Sequence, residues 1–345
     1  MSSQALKIQT ALSDSASAFL RAAELGLAGV ATAAVGYRSC CFTFHRATTA
    51  ENWAHQPNGG FHVDLSYLER LITHLQRAGW KIVTLSDAVR HSAQPGAGRF
   101  VNFSIDDCYR DTAELVVPLF RRLNVPVTLF VTTGIPDRLF RLRDAGLETI
   151  LQRETEVSDN GTTSQLRTVD DKCARYRYLS AKWEASENAD AEYDSFCRTH
   201  GYNPEALDDL HRITWSMLTE ISHDSLVEIG GHTVMHRRIS ALDDADARAE
   251  IVGCRNRLET MLSRPIRHFA FPYGRTGDCG PRDFALAGQA GFETASTTRK
   301  GLIRHNSDPL SLPRNTLNGA HRRLPFAYAH LSGASGLAAR IMHRD

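Results

Sequence analysis

From residue 38 onward, short runs rich in β-branched and aromatic residues alternate with segments whose apolar residues recur every three or four positions. The runs are RSCCFTFH, FVNFSIDD, VPVTLFVTT, LVEIGGH, HFAFPYG and FETASTT. Such alternation predicts an α/β fold built on a parallel sheet. The clearest helix follows Asp64, a good N-cap, with Leu65, Leu68, Leu71, Ile72 and Leu75 at helical spacing and Gly79 beyond its end. Similar periodicity predicts helices over 112–123, where Pro118 should kink or split the run, over 215–223 behind Thr214, over 244–262, and over 282–290 before Gly291.

Two segments break the alternation. Residues 1–36 are rich in Ala and Ser, and Phe19, Leu20, Ala23 and Leu27 predict an N-terminal amphipathic helical extension. Residues 137–212 are charge-rich and mostly helical in pattern, without an obvious strand, and read as an insertion over one rim of the body that spans 37–320; residues 321–345 read as a C-terminal tail. No repeat of 20 to 50 residues is visible.

Composition removes several function classes. Forty Lys and Arg against 39 Asp and Glu leave a formal net charge of +1, so no field draws the chain to nucleic acid. No run approaches the roughly 18 apolar residues of a transmembrane helix. Seven cysteines without a C-x-x-C pair do not form a disulfide framework, and the N-terminus lacks a secretory signal pattern. A cytoplasmic protein is the expectation.

The chemistry gathers where strands end. Val101, Phe103 and Ile105 alternate with Asn102 and Ser104, and the run closes on Asp106 and Asp107. LVEIGGH closes on His232, with His236 four residues on; FTFH closes on His45; HFAFPYG closes on Pro272, Tyr273 and Gly274. C-terminal strand ends are where α/β barrels and open sheets build active sites. An Asp pair alone is equally an N-cap with an exposed neighbour, and one H-x-x-x-H among fifteen histidines is weak. Together, two imidazoles and a carboxylate make an open three-ligand metal site, and a second carboxylate beside it supplies the base that hydrolysis requires.

With these residues in view, the chain resembles the polysaccharide deacetylases, the NodB-homology carbohydrate esterases. Ser104-Ile105-Asp106-Asp107-Cys108 resembles the family's first motif, Thr-Phe-Asp-Asp-Gly; His232-Thr233-Val234-Met235-His236 matches the second; Pro272-Tyr273-Gly274 matches the end of the third. The likeness runs from about residue 38 to 316. It implies a distorted (β/α) barrel of about seven strands, with Asp107, His232 and His236 as metal ligands and Asp106 as catalytic base. Tyr273 would offer its backbone N–H to the oxyanion.

Three departures from the family pattern stand out. Cys108 replaces a Gly, Ala270 stands where an Arg usually opens the third motif, and the late Leu-x-His that carries the general acid is missing. Arg314 in LPRN is the candidate replacement for the Arg. A subgroup similar to the circularly permuted poly-N-acetylglucosamine deacetylases carries its acid on the first strand as Tyr-His, and Phe44-His45 occupies that place, which makes His45 the candidate acid. The resemblance thus implies a Zn²⁺ or Co²⁺ hydrolase removing N-acetyl groups from N-acetylglucosamine units of an oligo- or polysaccharide or a lipid-linked glycan precursor. Two alternatives stay open: a metal-dependent hydrolase of a non-sugar amide or cyclic imide, and an inactive glycan-binding protein.

Overall fold

The computed structural model describes residues 38–49, 51, 56–94 and 98–341. The helical extension expected over 1–36 lies outside the described residues. The chain opens with β1 (Arg38–Phe44), the short strands β2 (Arg46–Thr48) and β3 (His62–Asp64), helix α1 (Leu65–Arg77), β4 (Lys81–Ile82) and α2 (Leu85–Ser92). Then come β5 (Arg99–Ile105), α3 (Val117–Arg122) and β6 (Val127–Val131). The inserted segment holds α4 (Arg143–Arg153), β7 (Glu156–Asp159), β8 (Thr162–Gln165), α5 (Val169–Glu184), α6 (Ala189–Thr199) and α7 (Pro204–His211). The body resumes with α8 (Trp215–Ser222), β9 (Val227–Gly231), α9 (Asp244–Leu262), β10 (His268–Ala270), α10 (Pro281–Gln289), β11 (Thr294–Ser296) and β12 (Asn315–Thr316). In the segment expected as a tail, α11 (Leu324–Leu331) and α12 (Ala334–Ile341) follow, and Ala327 and Leu331 join the main core.

The sheet runs β11-β10-β9-β6-β5-β1-β12, all parallel, and β4 adds an eighth strand on β5. β4 and β6 occupy different stretches of β5, at Phe100–Val101 and Ser104–Ile105 respectively. Asn102 stands between them and ties the two together, donating to the Val83 carbonyl and the Thr128 hydroxyl at 3.1 Å each. One stretch of chain links the two ends of the sheet. Leu312 bonds to β11 through Ala295 and Thr297, while Leu317 donates to Thr43 of β1. The result is the expected distorted (β/α) barrel.

Local chemistry explains the helices. Asp64 caps α1 by accepting from Ser66 N, and Tyr67, Leu68, Leu71, Ile72 and Leu75 bury one face against the sheet, each contributing roughly 1.5–3 kcal/mol. Pro118 sits in the first turn of α3, and the stretch before it, Thr112–Val116, is wound as a π-helix, so the expected 112–123 helix is divided as its proline requires. Among the described residues no helix is long and apolar enough to cross a membrane. All seven thiols are free.

The inserted segment differs from expectation in one respect. It contains a β-hairpin, β7 paired antiparallel with β8 through Asn160-Gly161, both at positive φ. Asn-Gly between two short polar strands is a hairpin signal in its own right. The segment also has a core of its own, with Leu147, Leu151, Leu179, Trp183, Phe196 and Leu207 packed together. Gly146 lets α4 and α6 cross closely, since a Cβ there would lie 1.8 Å from the Tyr193 hydroxyl oxygen.

Candidate active site

The inward faces of the strands form layers. At the mouth, Thr43, Ser104, Asp106, Thr132 and His232 project from the C-terminal ends of β1, β5, β6 and β9 or just beyond them, and all are buried. Gly230, one layer deeper, has no side chain for a reason: a Cβ there would lie 2.7 Å from the Phe130 ring. The ring fills that space, and the Arg314 guanidinium lies over it, 5.0 Å from the centroid.

Arg314 arrives from the stretch that links β11 to β1. It is fully buried and grips Asp106 with two bonds, Nη1 to Oδ1 at 2.6 Å and Nη2 to Oδ2 at 2.8 Å. Nη1 also lies 3.0 Å from Thr43 Oγ1 and from Ser104 Oγ, and Nε donates to the Thr297 carbonyl at 3.0 Å. The two-pronged planar fit gives direction as well as charge. Burial alone would raise the Asp106 pKa, but Arg314, then His232 and His45, more than offset it and hold the carboxyl well below the usual range. Asp106 is therefore a carboxylate at any working pH.

Asp107 faces the two histidines. Its Oδ1 lies 3.4 Å from His232 Nε2 and 3.2 Å from His236 Nε2, and these three atoms lie within 4.8 Å of one another. His232 Nδ1 contacts the Ala270 carbonyl at 2.7 Å, which assigns the proton to Nδ1 and leaves a lone pair on Nε2. Burial pushes the His232 pKa down to about 4, against the pull of Asp106, so the ring is the neutral form that ligates metals. Asp107 Oδ1 is buried, and among the described residues none donates a hydrogen bond to it. Three potential ligand atoms converging on one point, with no hydrogen bond joining them, fit a divalent cation, and the donor set of two imidazole nitrogens and one carboxylate suits Zn²⁺.

The backbone around these groups is strained. Asp107 (φ 67°), Cys108 (63°), Thr233 (64°), His236 (55°) and Tyr273 (60°) all adopt the left-handed region without being glycine. Each such residue costs of order 1–3 kcal/mol and persists only where its surroundings hold it. Cys108 therefore does adopt the conformation that a glycine would favour; its buried Sγ approaches the Phe130 carbonyl at 3.5 Å.

Tyr273 stands at the mouth, 45% exposed, its ring 5.2 Å from that of His236 and 5.0 Å from the Arg238 guanidinium. Burial, then Glu184 at the end of α5, raises its phenol pKa, with Asp144 of α4 adding to the shift. Charges of the insertion thus act on the mouth. His45, half-buried just past β1, stacks on Phe61 at 4.5 Å and is close enough to Asp106 to influence its charge. His268 and Asp278 are not part of this cluster: His268 begins β10 at the opposite end of the barrel, and Asp278 pairs with Arg238 at 3.0 Å.

Sequence reasoning marked Ala270 only as a departure from the family pattern and did not anticipate that its carbonyl orients His232; nor did it single out Glu250, whose Oε2 accepts from Val234 N at 2.9 Å and Met235 N at 2.8 Å. A backbone carbonyl leaves no trace in a sequence. Glu250 did leave one, as an acid on the buried stripe of α9 that includes Ala247, Ile251, Cys254 and Leu258.

Comparison with known proteins agrees with this geometry. Residues 93–294 match the polysaccharide deacetylase family. No curated protein sequence matches the chain. Among solved structures, a Streptococcus pyogenes deacetylase, PplD, in complex with acetate is similar with TM-score 0.55 and 13% identity, covering 83% of this chain and 94% of that one. IcaB from Ammonifex degensii gives 0.53 and 14%, covering 86% and 98%. The BpsB deacetylase domain from Bordetella bronchiseptica gives 0.51 and 17%, covering 82% and 97%. At such identities the structural likeness speaks for the fold alone, while the family match spans more than half of the chain. The chain belongs to the polysaccharide deacetylase family and is a hydrolase acting on carbon–nitrogen bonds.

Proposed function

We propose that this protein removes acetyl groups from N-acetylglucosamine units of an oligo- or polysaccharide, or of a lipid-linked glycan precursor, using Zn²⁺ or Co²⁺ held by Asp107, His232 and His236. The observation that carries the reading is the convergence of that triad on one side of an Asp106 carboxylate gripped by Arg314. A divalent cation there supplies positive charge that polarises the amide carbonyl and acidifies water. Asp106 accepts the proton of the attacking water; Arg314 holds both carboxylate oxygens in place while each keeps a free lone pair. The Tyr273 N–H donates to the carbonyl oxygen as it becomes an oxyanion. His45 then gives a proton to nitrogen as the carbon–nitrogen bond breaks, leaving acetate and a free amine. The insertion, whose Glu184 and Asp144 charges act on the Tyr273 phenol, forms one wall for the sugar.

The direct test is amine release from chito-oligosaccharides by the full chain, with and without a chelator. Stoichiometric amine that disappears on chelation and returns with Zn²⁺ or Co²⁺ is the expected result. A silent sugar panel with chelator-sensitive turnover of simple amides or cyclic imides would replace the sugar reading. A silent panel of both kinds on metal-loaded protein would leave a glycan-binding role.

A further inference from the structure

The geometry points to Glu250 as the residue that sets the positions of His232 and His236 by clamping the loop between them. This rests on the metal reading given above. The loop His232–His236 turns sharply, with Thr233 and His236 both in left-handed conformation. It is too short for repeating hydrogen bonds of its own, so its amides need acceptors from elsewhere. Gly134 N and Thr133 N reach in from the extension of β6 and donate to the Val234 and Thr233 carbonyls at 2.8 and 3.1 Å. That satisfies acceptors but not donors.

The donors go to Glu250. A single carboxylate oxygen, Oε2, takes both the Val234 and the Met235 N–H. Glu250 is only 5% exposed, yet among the described residues no Lys, Arg or His lies within ion-pair distance of it. A carboxylate is costly to bury without a cation, so its free energy must come from charge-assisted bonds to these two amides. The same helix face secures the rest of the strand end: Gly253 makes room for Val234, whose Cγ2 would lie 3.2 Å from a Cβ, and Cys254 Sγ meets the Val131 carbonyl at 3.6 Å. One turn further, Arg257 grips Asp137, which also accepts from Trp215. Positions 250, 254 and 257 of α9 thus form a rail along the strand ends, and Glu250 is the part that reaches the ligand loop.

The clamp acts before any cation arrives. With it in place, the two imidazoles already face Asp107 and the strained loop cannot relax; without it, metal binding would have to supply the ordering free energy. Glu250 is a positioning residue and touches no reacting atom.

The test uses the full chain and two readouts. Zinc affinity is measured by chelator competition, and loop order by amide hydrogen exchange of the 231–237 peptide in metal-free protein. Glu250→Ala should weaken zinc about 10- to 100-fold, the range for partners that orient ligands, and should release the protection of the loop amides. Glu250→Gln keeps an acceptor oxygen without the charge, and should lie closer to wild type than to Glu250→Ala in both readouts; it also serves if the alanine variant fails to fold. Wild-type zinc affinity in a folded Glu250→Ala protein would overturn the proposal, as would unchanged exchange. If wild type binds no zinc but the variant still loosens the loop, the clamp stands and the metal reading falls.

Discussion

The two ends of the barrel are built from the same residue types and do opposite things with them. At the floor, Glu228 accepts from Leu85 N at 2.9 Å, Ser86 Oγ at 2.7 Å and Thr128 Oγ1 at 2.9 Å, and lies 3.0 Å from His268 Nε2. His268 Nδ1 contacts Thr294 Oγ1 at 2.8 Å. Here each carboxylate oxygen meets donors, and the backbone of the strands is extended. At the mouth, Asp107 and two histidines turn ligand-type atoms toward one another, with no donor to the buried Asp107 Oδ1 among the described residues and five nearby residues in left-handed conformation. An acid beside a histidine does not by itself mark a catalytic centre. What distinguishes the mouth is the unfilled requirement: ligand-type atoms turned toward one another with no donor between them among the described residues, on a backbone held in a conformation it would otherwise leave.

The sharpest way to break this contrast is to remove a ligand. His236→Ala should lose stoichiometric metal and activity together, because two remaining ligands make a poor site. Elemental analysis showing full metal occupancy in that variant would mean the converging atoms at the mouth serve packing, like those at the floor.

The next test separates the two aspartates. Asp106→Asn keeps the shape that Arg314 grips but cannot take a proton, so metal content should hold while turnover falls about 10²- to 10⁴-fold. Loss of metal instead would exchange the roles of Asp106 and Asp107. For His45 the readout is a ratio: His45→Ala should slow amide hydrolysis far more than hydrolysis of an aryl acetate, whose leaving group needs no proton. Equal losses on both substrates would make His45 a positioning residue stacked on Phe61.

Most of the mouth was legible because its residues lie at the ends of strands that the period-two pattern marks, and because Asp106-Asp107 and His232 to His236 are contiguous. Arg314 was legible only as a candidate: it meets Asp106 across 208 positions, and no local pattern records that contact. Its reach depends on the Leu312–Leu317 stretch linking β11 to β1, which is topology rather than periodicity. The hairpin in the insertion was missed although Asn160-Gly161 announces it, since its strands EVSD and TTSQ are polar and alternate weakly. The strain at Cys108 was only raised as a question by the sequence, because a cysteine there is compatible with several backbone conformations until the fold selects one.

The smallest effect is expected at the floor, and it sharpens the comparison from the other side. Glu228→Gln removes a charge that accepts several bonds, and hydrogen bonds to charged groups contribute about 1.5–3 kcal/mol each, so stability should fall by about that amount or somewhat more. Turnover per folded molecule should not change. The pH dependence follows from the same contacts. Burial opposes ionisation, but His268, Ser86 and Thr128 hold the Glu228 pKa down at about 2. A carboxylate with a lowered pKa in the folded state stabilises fully above its unfolded value of about 4.3, and that contribution is lost as pH falls toward 2. Urea unfolding of wild type and Glu228→Gln should therefore show its widest gap at pH 7 and a narrower one near pH 3.5. A gap that widens in acid, or a variant that folds normally but loses turnover, would show that the floor is coupled to the chemistry at the mouth.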